Sequence, residues 1–355
     1  LLEPRGKDVD HTDSFGPGDI GAVAKLKETR AGDWLAARDE AIAMPAIKLP
    51  APVMAFAVEP KSKGDEDKVF TALRRLQEED PTIDLHRDVQ TGEQIVAGLS
   101  QMHVEVIVDR LKSRFGAEVA LKPPRVPYQE SIRRPAKAHG RHKKQTGGRG
   151  QFGDCRIEIE PLESDPAHPS GGHFEFVDAI KGGVIPQGYI PAVQKGVLEA
   201  MAHGPIAGYP LKGVRVRLVD GSYHTVDSSE QAFKTAGSIA MKQAMQDAGA
   251  VLLEPIMAVT LSVPEDSVGD VIGDLNSRRG RPQGMEPSSS SHPPMTEVKA
   301  EVPMAEMLTY APDLRSLTGG QGDYTMEFVR YEEVPAHLAA KVVEAAAQEE
   351  EAVRA

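Results

Sequence analysis

Cysteine is nearly missing: Cys155 is the only one in 355 residues. A disulfide within the chain is excluded, so no disulfide partner is expected and the expected compartment is the reducing cytoplasm. Cys155 opens an alternating stretch, which suits a packed thiol better than a nucleophile. Aromatics make up only 5% of the sequence, so aliphatic side chains must fill the cores. No apolar run approaches the roughly 18 residues of a membrane span, and no membrane partner is expected. There is no GxxxxGK phosphate loop ending in Ser or Thr, no HExxH and no GxSxG. Nothing in the chain assembles a hydrolytic or transferase centre, so neither catalytic residues nor metal ligands are expected.

Net positive charge is lacking too, at −12 overall, yet residues 133–149 hold seven Lys/Arg and no acid. The run is Arg133, Arg134, Lys137, Arg141, Lys143, Lys144 and Arg149, with His139 and His142 between them. It opens onto Gly147-Gly148-Arg149-Gly150-Gln151-Phe152-Gly153. Positive charge gathered into one flexible segment of an acidic chain makes a local anion site, and its length suits a polyanion such as RNA; the alternative is solvated surface. Gly148, Gly150 and Gly153 also fit GxGxxG. That pattern binds dinucleotides only when a helix follows, and Arg156-Ile157-Glu158-Ile159-Glu160 alternates as a strand instead. The glycines are expected to let backbone N–H groups approach phosphates closely.

Residues 51–122 read as β-α-β-β-α-β, the split βαβ or ferredoxin-like order. The parts are a strand at 53–58, a helix at 65–79 with Val69, Leu73 and Leu76 on one face, and a hairpin around Gln90-Thr91-Gly92. A second helix, 101–115, turns Ile107, Val108, Leu111 and Phe115 inward and stops at Gly116 before a strand at 118–121. The same order recurs near the C-terminus, with strands at 255–263, 296–302 and 324–331 and helices at 264–279 and 304–317. Glu286 to Pro294, with four consecutive serines, reads as a low-complexity loop there. Between the copies lies an α+β unit with strands at 156–160, 173–177 and 214–219 and helices at 189–203 and 228–247. Residues 1–38, with a strand-like stretch from Ala22 to Leu26, read as the last strands of a β-domain.

Two further groups carry ordinary explanations. Asp227 as N-cap with Glu230 at the third helical position forms a capping box and anchors the preceding His224 loop. His224 has no metal-ligand neighbours; it is either a positioned loop-tip side chain able to hydrogen-bond RNA or an incidental surface histidine. Arg278, Arg279 and Arg281 complement a helix C-terminus.

The stretch His142-Lys143-Lys144-Gln145-Thr146-Gly147-Gly148-Arg149-Gly150-Gln151-Phe152-Gly153 resembles a signature of bacterial elongation factor G. So do Asp220-Gly221-Ser222-Tyr223-His224-Thr225-Val226-Asp227-Ser228-Ser229-Glu230, Leu253 to Met257, Gly269 to Leu275 and Leu314 to Gly319. The resemblance implies an α+β multidomain chain. Residues 1–38 would end a β-barrel second domain. Residues 51–122 would be a ferredoxin-like third domain, and 123–252 a ribosomal-protein-S5-like fourth domain that contacts RNA. Residues 253–335 would be a ferredoxin-like fifth domain, and 336–355 a helical tail. It implies that GTP and Mg belong to a GTPase domain outside this chain, which needs no cofactor and hydrolyses nothing itself.

The implied partner is the ribosome, through ribosomal RNA and the mRNA–tRNA duplex at the decoding site, with the protein a monomer. The implied RNA-binding residues are Arg141, Lys143, Lys144, Gly147, Gly148, Arg149, Gly150, Gln151, Phe152, Ser222, Tyr223 and His224. The implied function is promotion of translocation. The alternatives are a paralogue acting in recycling or rescue, or a stand-alone RNA-binding protein. Two features depart from the family pattern: Ser100-Gln101-Met102-His103 stands where Gly-Glu-Leu-His is common, and the serines at 288–291 are unusual.

Overall fold

The computed structural model describes residues 1–37, 45, 47, 49–62, 64–145, 150–162, 174–288 and 294–354. The chain forms two compact units, Leu1–Pro124 and Arg125–Ala355. The glycines and arginine at 147–149 and the serines at 289–291 lie outside the described residues.

The first unit opens with an antiparallel ribbon of β1 (Leu2–Arg5) and β2 (Asp8–His11). The strand expected from Ala22 to Leu26 is not formed; a single bridge joins Ala22 to Leu2. The sequence there has no alternating partner to pair with, and Ile20, Trp34 and Leu35 are exposed.

The rest of this unit is β3 (Met54–Pro60), α1 (Glu66–Glu79), β4 (Asp84–Arg87), β5 (Gln94–Gly98), α2 (Gln101–Phe115) and β6 (Val119–Lys122). The strands form an antiparallel sheet in the order β4-β5-β3-β6, which is the ferredoxin-like arrangement. Val69, Leu73 and Leu76 of α1 and Val104, Ile107 and Leu111 of α2 are buried in its core. Each such side chain contributes about 1.5–3 kcal/mol by leaving water. The Ser100 hydroxyl accepts the His103 N–H and starts α2, and Gly116 at φ 61° ends it.

The second unit contains a four-stranded sheet in the order β10-β11-β9-β8. Its strands are β8 (Ala136–Lys144), β9 (Gln151–Pro161), β10 (Phe174–Asp178) and β11 (Val214–Ser222), preceded by β7 (Gln129–Ile132). Helices α3 (Ile190–Met201) and α4 (Glu230–Asp247) cover one face. Ala232, Ala236, Ala240 and Ala244 make a smooth stripe along α4, all buried. Against that stripe lie glycines. A Cβ on Gly140 of β8 would overlap the Ala236 carbonyl, and one on Gly153 of β9 the Ala232 carbonyl. Gly237 meets Val193 of α3 in the same way, with a Cβ falling 2.6 Å from its carbonyl oxygen. Helix α4 therefore rests on backbone rather than on side chains.

β12 (Ala250–Pro264) continues from α4 and belongs to both halves of the unit. Its first residues pair with β7, and the rest lies between β14 (Met295–Pro303) and β15 (Asp323–Glu333). α5 (Val268–Ser277) and β13 (Arg281–Ser288) follow β12, and β13 completes the order β13-β14-β12-β15. This is the permutation seen in the first unit, so the second ferredoxin-like fold is complete. β13 occupies part of the expected loop; Pro282 and Pro287 are tolerated because it is an edge strand. The helix expected over 304–317 is two, α6 (Met304–Met307) and α7 (Tyr310–Leu317), and α8 (Ala336–Arg354) closes the chain.

The arginines that follow α5 do more than complement its dipole. Arg278 pairs with Asp274 and Asp313, and Arg279 with buried Glu254 and with Glu306. Arg281 pairs with Glu332. They tie α5, α6, α7 and the sheet together.

Replacing Gly140 by Ala should cost about 1–3 kcal/mol of stability in denaturant unfolding, because α4 cannot retreat without opening the core. Gly188, exposed with open space around it, should accept Ala within about 0.5 kcal/mol.

Candidate nucleic-acid interface

From Lys137 to Lys144 the basic run is strand rather than a flexible segment. Most of it is β8, whose alternation sends Ala138 and Gly140 inward and Lys137, His139, Arg141 and Lys143 outward. Small inward residues are what the close approach of α4 demands, and they remove the apolar signal of a strand.

Along the open face of this sheet the charges are paired. Lys137 bonds Glu158 at 2.5 Å and holds its carboxyl below the usual range. Arg215 binds Glu160 at 2.9 Å and Glu175 at 2.5 Å, and Arg156 meets Asp220 at 3.4 Å. His139 bonds the largely buried carboxylate of Asp154 at 3.0 Å, and Arg141 lies 3.7 Å from its other oxygen. Pairing stops there. Lys143 lies opposite Phe152 and Lys144 opposite Gln151, both lysines exposed. Among the described residues no carboxylate pairs with either. The sheet body is thus close to neutral in charge, while its end carries Arg141, Lys143 and Lys144.

The second segment leaves β11 at Ser222, which is the last strand residue rather than part of the loop. Tyr223 and His224 are exposed beyond it. The segment runs beside the start of β9. The Phe152 N–H donates to the Asp227 carbonyl at 2.9 Å, and the Gly150 N–H to the Asp227 carboxylate at 3.0 Å. The rings of Phe152 and His224 lie 6.3 Å apart, and the Arg141 guanidinium lies 5.8 Å from the centre of the Phe152 ring. Arg141, Lys143, Lys144, Gly150, Gln151 and Phe152 therefore share one end of the unit with Ser222, Tyr223 and His224. Gly147, Gly148 and Arg149 lie outside the described residues.

Two expectations need correction. Gly150 does not offer a free N–H to phosphate, since it donates to Asp227, and Gly153 is where α4 touches the sheet; Gly148 lies outside the described residues. Asp227 does not cap α4. Ser229 does, its hydroxyl accepting the Ala232 N–H at 3.2 Å, because Asp227 is committed to Gly150. The GxGxxG stretch runs into a strand, β9, that begins inside the motif at Gln151, as the rejection of dinucleotide binding requires. Residue-type reasoning missed Asp154 and Ser228, since only strand register and loop bonding reveal their partners.

In chain order, a ferredoxin-like fold, an α+β layer with a cationic end and a second ferredoxin-like fold define a multidomain α+β protein. Family models identify its parts. Elongation factor G domain III matches residues 49–123, domain IV matches 124–249, and the elongation factor G C-terminus matches 251–342. The chain belongs to the elongation factor G family. It is 48% identical over 338 residues to the elongation factor G-like protein of Thermotoga maritima, covering 95% of this chain and 48% of that one. A crystal structure from Thermus thermophilus matches with a TM-score of 0.74 at 43% identity, covering 85% of this chain and 44% of that one. The chain spans about half the length of the relatives it matches.

Cys155, opposite Gly140 and fully buried, has its thiol pushed up to about 12 by burial, with Asp154 adding to the effect. The native chain should resist a thiol-alkylating reagent at pH 8 to 9, and urea should release one reactive thiol per chain.

Proposed function

We propose that this chain is the RNA-facing part of an elongation factor G-like protein and that its tip engages RNA on the ribosome while tRNA and messenger move. The observation that carries this is the break in charge pairing at the end of β8, where Lys143 and Lys144 have no carboxylate partner among the described residues and Arg141, shared with Asp154, lies beside Phe152 and His224. Cations without nearby carboxylates draw phosphates, and an adjacent aromatic ring offers a stacking face to an unpaired base. On this reading residues 1–38 end the family's second domain, and 51–122, 123–252 and 253–335 are its third, fourth and fifth. GTP and Mg act in a domain outside this chain. The single buried thiol fits a reducing, cytoplasmic setting.

A second reading has support of its own. The T. maritima relative is called elongation factor G-like, and Ser100-Gln101-Met102-His103 departs from the common family pattern. A specialised paralogue would split or rescue ribosomes rather than translocate. Assaying the full-length protein for both activities separates the two: fast ribosome splitting without translocation would favour the paralogue.

Neutralising Arg141, Lys143 and Lys144 to Gln should weaken RNA binding and reduce the log–log salt slope by about 0.7 to 0.9 for each phosphate that the protein no longer neutralises. Lys137→Gln and Arg215→Gln, which remove already paired charges, should leave the slope unchanged. An unaltered slope in the triple variant would remove the tip from the RNA contact. In the full-length protein, His224→Ala should slow translocation more than it weakens ribosome binding; equal loss of both would reduce His224 to an anchor.

A further inference from the structure

The tip is held together by one residue used three times. Asp227 accepts the Gly150 N–H on its carboxylate at 3.0 Å and the Phe152 N–H on its carbonyl at 2.9 Å, and its own N–H donates to Nδ1 of His224 at 3.1 Å. The Val226 N–H donates to the same nitrogen at 3.3 Å. The His224 N–H in turn donates to the Ser228 hydroxyl at 2.9 Å, and Ser228 is buried. Gly150 is confined as well: a Cβ there would fall 2.9 Å from the Asp227 carboxyl carbon.

An imidazole nitrogen that accepts two N–H groups carries no proton. The Asp227 carboxylate lies 3.4 Å from this nitrogen, farther than either backbone N–H. The remaining ring proton then sits on Nε2, at the exposed edge of the ring.

We propose that Asp227 is the positioning residue of the tip: it clasps the Gly150–Phe152 segment to the His224 loop and fixes His224 as the Nε2–H tautomer, so that the imidazole presents a single outward donor to a phosphate or base acceptor. This rests on the RNA-binding reading above. The clasp removes the freedom of two loops before binding, and preorganisation of this kind raises affinity by cutting the ordering cost. Asp227 need not touch the RNA.

Two measurements on the whole chain test the proposal. Long-range ¹⁵N–¹H correlation spectra of the imidazoles report which ring nitrogen of His224 holds the proton. Affinity for a fluorescein-labelled RNA hairpin, measured across a salt series, reports the geometry of the tip. Wild type should show the Nε2–H form. Asp227→Ala removes the Gly150 bond but neither backbone N–H that faces Nδ1, so it should keep the Nε2–H form and give roughly three- to tenfold weaker hairpin binding with an unchanged salt slope, because no cation is removed. Asp227→Asn keeps a carbonyl oxygen for Gly150 and should restore hairpin binding. A wild-type Nδ1–H or doubly protonated ring at neutral pH overturns the proposal. So does an Asp227→Ala variant that binds the hairpin as tightly as wild type. A wild-type chain with no salt-dependent hairpin binding sinks the RNA reading instead, and the spectra still decide the clasp.

Discussion

The rest of the tip depends on how closely α4 lies against β8 and β9. The Ala232-Ala236-Ala240-Ala244 stripe meets strand backbone at Gly140 and Gly153, with no side chain between. Interiors are packed densely enough that a single added methyl must displace something. Because the first turn of α4 sits over the start of β9, the chain entering α4 must run beside residues 150–152. The Asp227 bonds to Gly150 and Phe152 follow from that approach. Ser228 and the Tyr189–Phe233 stack, at 4.8 Å, fasten the entering loop to the core. An exposed surface of two loops is thereby built on a helix–sheet contact that cannot slide.

Charge is partitioned along the same sheet. The chain carries −12 overall, and the open face commits its arginines to neighbouring glutamates. Exposed pairs of this kind contribute little stability, about 0–1 kcal/mol each. Their larger effect is on the field, since paired charges attract a polyanion weakly beyond a Debye length of roughly 8 Å. At the end of β8, Lys143 and Lys144 have no carboxylate partner among the described residues.

Much of the architecture was legible in the residues, and the failures have physical causes. α1 and α2 follow their apolar spacing and their stops at Pro81 and Gly116; the first ferredoxin-like fold was readable from its full element order and the second from three of its four strands. β8 was hidden because the inward positions under α4 hold Ala and Gly, so a true strand shows no hydrophobic alternation. β13 was hidden by Pro282, Gly284 and Pro287, which an edge strand accepts and a central strand would not. The tip residues were legible as types, a cationic run and a histidine loop, but their pairing was not. The antiparallel register that sets Arg141 opposite Asp154, and the competition that hands the α4 cap to Ser229 while Asp227 bonds Gly150, are tertiary facts.

The central claim is that two segments distant in sequence form one RNA-contacting surface. Photo-crosslinking from position 144 and, separately, from position 223 of the full-length protein bound to ribosomes tests it most directly. The account predicts that both positions crosslink to RNA and that the crosslinked nucleotides lie within a few bases of each other or across one duplex. Crosslinks from the two positions to widely separated RNA elements, or to ribosomal proteins alone, would contradict it.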